Sequence, residues 1–495
     1  MELEFEKREI PYAKPVLHQL QFPEQNQEIR LSDGMPDVGR ILAAWGQLIL
    51  RGKEWHTGAV SCSAGVMVWV LYQPEGEGEI RTLESWIPFQ VKWDVEDGGR
   101  EGDMRIQLLL RSVDARSVSP RKVMVRCAVG ALGEAWQRDS FRISVPGKVE
   151  EDIQLLVNRY PMQLPKIAGE KPFHMDEELT LPVSIAQPDS IIAYTLTPRV
   201  TDVRILTDKL VFQAVAQLHL VYLSEEGRIS SWNQELPVSQ YAQLDMQMSP
   251  DARGDVRIAV TSLELEQDPE GRLNLKCGAV AQYLAEDREM VELVEDAYST
   301  RRNLEMKFSQ LELPLVLEQK QMAVPVAQSL REQAVDIADV TYLPDFPQLH
   351  RGDGVSLELP GQFQVLYYGP DGELKSAGAR TEESRSFPAG ENSRLEAAVL
   401  PGLPPTATAG SGIELKAEEQ LSLRSVFSGS MPMVTSLRLG EESQDLTGRP
   451  SLILRRKGDA SLWQIAKENH ATVQRIQDAN GPEIKENQIL LIPVS

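Results

Sequence analysis

In KVMVRCAV, residues 122–129, apolar Val123, Val125, Cys127 and Val129 alternate with Lys122, Met124, Arg126 and Ala128. This is the two-residue period of a strand with one face buried. The same register returns at Leu273, Leu275 and Cys277, and again at Ile413, Leu415 and Ala417. Because alanine replaces cysteine at one turn of this recurrence, Cys127 and Cys277 are read as small buried apolar residues rather than reactive thiols. Apolar runs around Tyr72, Tyr222 and Tyr368 lead into acid- and glycine-containing turns. That is hairpin chemistry, with Gly78, Gly227 and Gly372 expected to take positive φ and Pro88, Pro237 and Pro388 expected to close the second strands.

These features recur about every 150 residues. GDMRI (Gly102–Ile106) returns as GDVRI (Gly254–Ile258), and MPDV (Met35–Val38) has a counterpart in QPDS (Gln187–Ser190). The pattern predicts a mainly β body of three tandem units, 1–148, 149–298 and 299–440. The third is the most diverged and carries the loop-like insertion LPGLPPTATAGSG. A linker at 441–450 then leads to a segment of different period.

Residues 451–495 predict a βααβ unit, with strands in LILRR and QILLIP. Ser461 followed by Gln464 has capping-box spacing, so a helix is expected to begin there. Leu462, Ile465 and Ala466 share one face, with Trp463 beside them and Lys467 and Glu468 turned outward. Thr472 is expected to cap a second helix with Val473, Ile476 and Ala479 inside, ended by Asn480 and Gly481.

Charge separates the two parts further. The 495-residue chain has 51 Lys+Arg against 73 Asp+Glu, a net charge of −22, which repels phosphate backbones and argues against a nucleic-acid partner. The tail is near neutral, with six basic and five acidic residues. MELEFEKREI lacks the basic and then apolar pattern of a secretory signal, and VMVWVLY (Val66–Tyr72) is far too short for a membrane span. A soluble cytoplasmic chain without membrane insertion is therefore expected. Three cysteines without a CxxC pair fit a reducing compartment.

Sequence signals for catalysis, cofactors or metal are lacking. The chain has no phosphate loop, dinucleotide fingerprint, HExxH or GxSxG. Its six histidines lack ligand spacing, and His219, between Leu218 and Leu220, is expected to face outward from its strand. Arg351–Asp353, an RGD, is read as a turn. The reading is non-enzymatic.

The tail resembles a LysM domain, matching its pattern at Gly458, Asp459, Leu462, Trp463, Ile465, Ala466, Asn480, Gln488, Leu490, Ile492 and Pro493. It departs at Asn487, where glycine is usual, and in lacking an aromatic in its first strand. The repeats resemble the SPOCS-type domains of sporulation proteins, in LSDGMPDVGRIL, the tyrosine hairpins and SPRKVMVRC. Together they resemble clostridial spore-coat morphogenetic proteins. That resemblance implies an adaptor on the mother-cell face of the forespore and later in the spore coat, whose LysM docks a basal-coat ATPase like stage IV sporulation protein A, with other coat proteins as further partners.

The resemblance also supplies a rival, attachment to cortex peptidoglycan through N-acetylglucosamine polymers. In LysM folds the sugar groove lies between two loops, here Gly458, Asp459, Ala460, Ser461 and Leu462 facing Asn480, Gly481, Pro482, Glu483 and Ile484. Trp463 is open to either a core or an anchor role. Lys467 and Arg475, on outer helix faces, are the expected rim contacts.

Overall fold

The computed structural model describes all residues except 1, 77, 96–101, 146–148, 313–314, 352–354, 388–392, 428–429, 443–449, 482, 486 and 495. Pro388, most of the RGD turn, most of the 441–450 linker and Pro482 therefore lie outside the described residues. Up to Arg456 the described elements are antiparallel strands. No described helix is long and apolar enough to cross a membrane.

Two kinds of sheet alternate along the chain. The first kind is a meander: Val38–His56, Ala59–Pro74 and Arg81–Asp94, then Pro188–Leu206, Lys209–Ser224 and Ile229–Gln243. Its third version has Val355–Tyr368 between Leu374–Phe387 on one edge and Asp336–Pro344 with Gln348–Arg351 on the other. The second kind is built on a long central strand. Lys122–Val145 lies between Asp103–Ser119 and the pair Glu6–Gln21 and Glu24–Arg30. Leu273–Ser299 lies between Arg253–Gln267 and Ile153–Leu179, and Ile413–Phe427 between Leu315–Leu330 and the pair Ser393–Leu400 and Thr406–Ala409. The recurring KVMVRCAV strand is the start of the first of these central strands. Val123, Val125, Cys127 and Val129 are 0 % exposed, and burial pushes the thiols of Cys127 and Cys277 up to about 12.

The long strands of the first two such sheets run past them as two-stranded arms, the separate pair Arg302–Glu312 and Ser430–Glu442 is a third, and a two-stranded ribbon cannot bury both its faces alone. Three arms solve this together. Ile10, Phe141 and Ile143 meet Met162, Leu164, Val291 and Leu293 and also Leu311, Met431 and Met433 in one apolar cluster. Further along, Phe5, Ile153, Val294, Ala297, Val434, Leu437 and Leu439 form the next. Closure is completed by the N-terminus, where Glu2, Leu3 and Glu4 pair with Arg438, Leu437 and Ser436. The meanders converge in the same manner through Trp45, Trp69, Leu71, Ile192, Val221, Ala338 and Leu366.

That convergence overturns the expectation for His219. Its side chain does leave the core of its own meander, but the third segment covers the face it points to. Nε2 lies 2.9 Å from Asp339 Oδ1 and Nδ1 2.9 Å from Asn233 Oδ1, while Trp45 Nε1 donates to Asp339 Oδ2 at 2.8 Å. Burial opposes the imidazolium, yet Asp339 and Asn233 outweigh it and raise the His219 pKa. Two turn expectations also change. In the first hairpin Gly76, at φ 82°, takes the left-handed conformation in place of Gly78, whereas Gly227 and Gly372 behave as expected. Pro88 and Pro237 do not close strands. They lie mid-strand, opposite Gly65 and Val215, and are tolerated because both strands are at a sheet edge.

The repeated GDxRI motif supplies a polar centre between two of these sheets. Arg105 Nε and Nη2 donate to Glu134 at 2.7 and 3.1 Å, and Nη1 donates to Asp255 at 2.7 Å. The equivalent Arg257 donates to Glu134 at 3.0 Å and to Gln107 at 2.8 Å, and Arg424 of the third segment pairs with Glu286. Arg105 is 1 % exposed. Burial would raise the Glu134 pKa, but Arg105 and Arg257 hold it well below the usual carboxylate range. The motif glycine is steric: a Cβ at Gly102 would lie 2.2 Å from the Trp136 carbonyl oxygen. Replacing Arg105 by Met removes the partner that bridges the two buried carboxylates, and breaking a buried pair in this way costs about 3–5 kcal/mol. Arg105→Met is expected to lower the urea midpoint of the body sharply, while Arg138→Met, at a side chain 85 % exposed, leaves it unchanged. Equal midpoints for the two variants would remove the node from the account.

Candidate functional site

The tail folds as a hairpin of Leu452–Arg456 and Ile489–Pro493 carrying two helices, α1 (Leu462–Glu468) and α2 (Val473–Asn480). Ser461 Oγ accepts from Gln464 N at 3.2 Å while Gln464 Oε1 accepts from Ser461 N at 3.1 Å, which completes the expected capping box. Thr472 Oγ1 accepts from Arg475 N at 3.2 Å, and Gly481, at φ 86°, ends α2. Ile465, Ala466, Ala471, Ile476, Leu490 and Ile492 are 0 % exposed. Ala479, expected inside, is exposed. The inward position belongs to the next residue, Asn480, whose side chain accepts from Leu491 N at 2.8 Å and donates to Leu491 O at 2.6 Å.

One residue of this core comes from elsewhere. Tyr298, at the end of strand Leu273–Ser299, is 5 % exposed and packs into the tail's apolar cluster. Its hydroxyl donates to Ala471 O at 2.8 Å, and its ring meets Trp463 edge-on with centroids 4.8 Å apart. Two residues earlier, Asp296 accepts from Trp463 Nε1 at 2.7 Å and from Lys467 Nζ at 2.6 and 2.8 Å. His470 Nδ1 lies 3.3 Å from Ser299 O. A register shift between Val294 and Asp296 marks a β-bulge in the arm, the device that re-aims side chains at a strand end.

This geometry divides the expected binding residues. Trp463 and Lys467 are committed to the body, so Lys467 is not the solvent-facing rim contact its helix position suggested. The outer face of α1 is the inner face of an interdomain joint. Arg475 remains exposed on α2. Of the groove residues, Gly458, Asp459, Ser461 and Glu483 are exposed. The Ser461 hydroxyl is occupied in the cap and the Asn480 amide in clasping Leu491. Leu462 and Ile484 are half-buried against the core, and Gly481 shapes the turn. The two loops thus offer an open acidic rim, Asp459 and Glu483, without an aromatic platform. Asp296, Tyr298 and Ser299 were not singled out from sequence. The available signal was a polar-aromatic DAYS at the end of an otherwise apolar-alternating strand.

Asp296→Ala strands the indole N–H and the ammonium at a half-closed joint, a loss of about 1–3 kcal/mol for unsatisfied partners. Hydrogen exchange of the α1 amides is expected to accelerate by about tenfold or more, with Asp296→Asn intermediate because it keeps an acceptor for Trp463. Unchanged exchange in Asp296→Ala would show that the joint does not support the helix.

Comparison with known families places names on two parts of this architecture. Residues 187–267 match the family model described as SipL, SPOCS domain, and residues 456–493 match the LysM domain. The first match spans the second meander and the GDVRI strand, and the second spans the tail from Arg456 to Pro493. No curated protein and no solved structure matches the chain. The chain therefore combines a SPOCS domain of the SipL type, within a mainly β body, with a C-terminal LysM domain.

Proposed function

We propose that the protein is a non-enzymatic adaptor of spore-coat assembly. Its β body is the platform, and its LysM domain docks a basal-coat ATPase resembling stage IV sporulation protein A at the forespore surface, with other coat proteins held by the body. The pairing of a SipL-type SPOCS domain with a LysM domain supports the sporulation setting. The observation that carries the adaptor reading is the joint at Asp296 and Tyr298. A module that shares its core with a strand of the β body presents its remaining faces in fixed orientation, which suits assembly of one protein on another. Preorganisation of this kind lowers the entropic cost of association.

A glycan reading is favoured by one feature, the exposed Gly458, Asp459, Ser461 and Glu483 in the positions that correspond to the sugar groove of LysM folds. Against it, the tail's tryptophan is turned into the joint with Tyr298 and cannot stack on a sugar while docked. The discriminating experiment is capture of the purified ATPase by the full chain, with chitin oligomers as competitor. Binding is expected to persist at millimolar oligomer and to weaken with salt. Arg475→Glu should reduce it by no more than about fivefold, since a rim pair contributes at most about 1 kcal/mol. Displacement by sub-millimolar oligomer, with Arg475→Glu binding normally, would establish the glycan reading instead.

A further inference from the structure

The helices of the LysM domain cover one face of its hairpin, and the other face is apolar and open. Strand alternation sends Ile453, Leu490 and Ile492 inward and leaves Leu452, Leu454 and Arg456 outward, beside Pro493, Leu491 and Ile489 in direct register. Leu452, Leu454, Ile489 and Leu491 are 49, 66, 60 and 38 % exposed. Scattered apolar residues on a surface need no explanation. A contiguous cross-strand strip of this kind, in a chain that is otherwise strongly acidic, is the signature of an interaction surface. The fold does not need it, since the domain core is complete on the opposite face with Tyr298 added.

The charges around the strip define what fits. It ends at Arg456, which is exposed, and Lys457 follows, so the basic end of a near-neutral module abuts the aliphatic strip. Arg455, on the other face, is already paired with Glu468. A second copy of the chain is a poor occupant: each copy carries −22, which favours monomers, and its equivalent strip would bring Arg456 again but no acid to meet it. We infer that the strip of Leu452, Leu454, Ile489 and Leu491 is a docking site for an amphipathic helix of another protein, whose aliphatic stripe ends in acidic residues set against Arg456. Such a helix uses its i, i+3 or i+4, and i+7 side chains as anchors, in the manner of helix-in-groove recognition. The inference rests on the adaptor reading only for which protein supplies the helix.

The test is fluorescence anisotropy of a labelled 14-residue helical peptide with leucines at i, i+4 and i+7 and a glutamate-rich end, titrated with the full chain. The peptide is expected to bind at least tenfold more tightly than a scrambled version or one ending in lysines. Leu454→Glu combined with Leu491→Glu should abolish that preference, and both positions are exposed, so unchanged circular dichroism is expected. Arg456→Glu should reverse it in favour of the lysine-ended peptide. Equal binding of the scrambled peptide, or wild-type binding by the double variant, overturns the inference. So does a dimer in sedimentation that Leu454→Glu dissolves, because the strip would then belong to a second copy. Failure to capture the ATPase with peptide recognition intact would count against the adaptor reading and leave the strip standing.

Discussion

Arg105 is held at the centre of the body by two carboxylates from different sheets, and this arrangement dictates much else. A guanidinium that is 1 % exposed needs its donors filled. Glu134 comes from its own sheet and Asp255 from the sheet of strand Arg253–Gln267. Separating the two sheets therefore breaks the charge-assisted bonds that hold this guanidinium. Gln282 adds to the same seam by accepting from Ile106 N and donating to Ile106 O, both at 2.9 Å. The third segment joins through Arg424 on Glu286 and through Asp345 on Arg111 at 2.6 Å. The arms converge through their own apolar clusters, and the ionic node holds the register of the sheets from which they run.

The LysM domain inherits its position from that register. The arm carrying Asp296 and Tyr298 is supported by the other arms through Val294 and Ala297. A helical module of about 45 residues has a thin core, and insertion of Tyr298 enlarges it. The same contact hides Trp463 and Lys467 and turns the opposite, leucine-rich hairpin face outward. Stability of the small domain and orientation of its free surface thus follow from one joint.

Local chemistry made much of the fold legible in the sequence. The period-2 strand at 122–129, the glycines at 227 and 372, the Ser461–Gln464 capping box and the βααβ order all depend on neighbours close in the chain. The repeat of GDMRI as GDVRI pointed to a recurring unit, although its purpose became clear only when Arg105 and Arg257 were seen around Glu134. What escaped is long-range. Nothing near His219 says that Asp339 covers it, and nothing near Lys467 says that Asp296, 171 residues earlier, accepts its charge. Helical periodicity assigned Lys467 to an outer face correctly but could not tell solvent from a neighbouring arm. Ala479 was misplaced for a local reason, because the polar Asn480 outcompeted it for the inward position by hydrogen-bonding the strand.

The joint makes the LysM domain a fixed part of the body. The distance distribution between spin labels at Arg288 and Gln474, both exposed, measured in the full chain by pulsed electron resonance, tests this. A single narrow distribution, broadened when Tyr298 is replaced by alanine, is the result this account predicts. A broad distribution in the unaltered chain, insensitive to Tyr298, would contradict it.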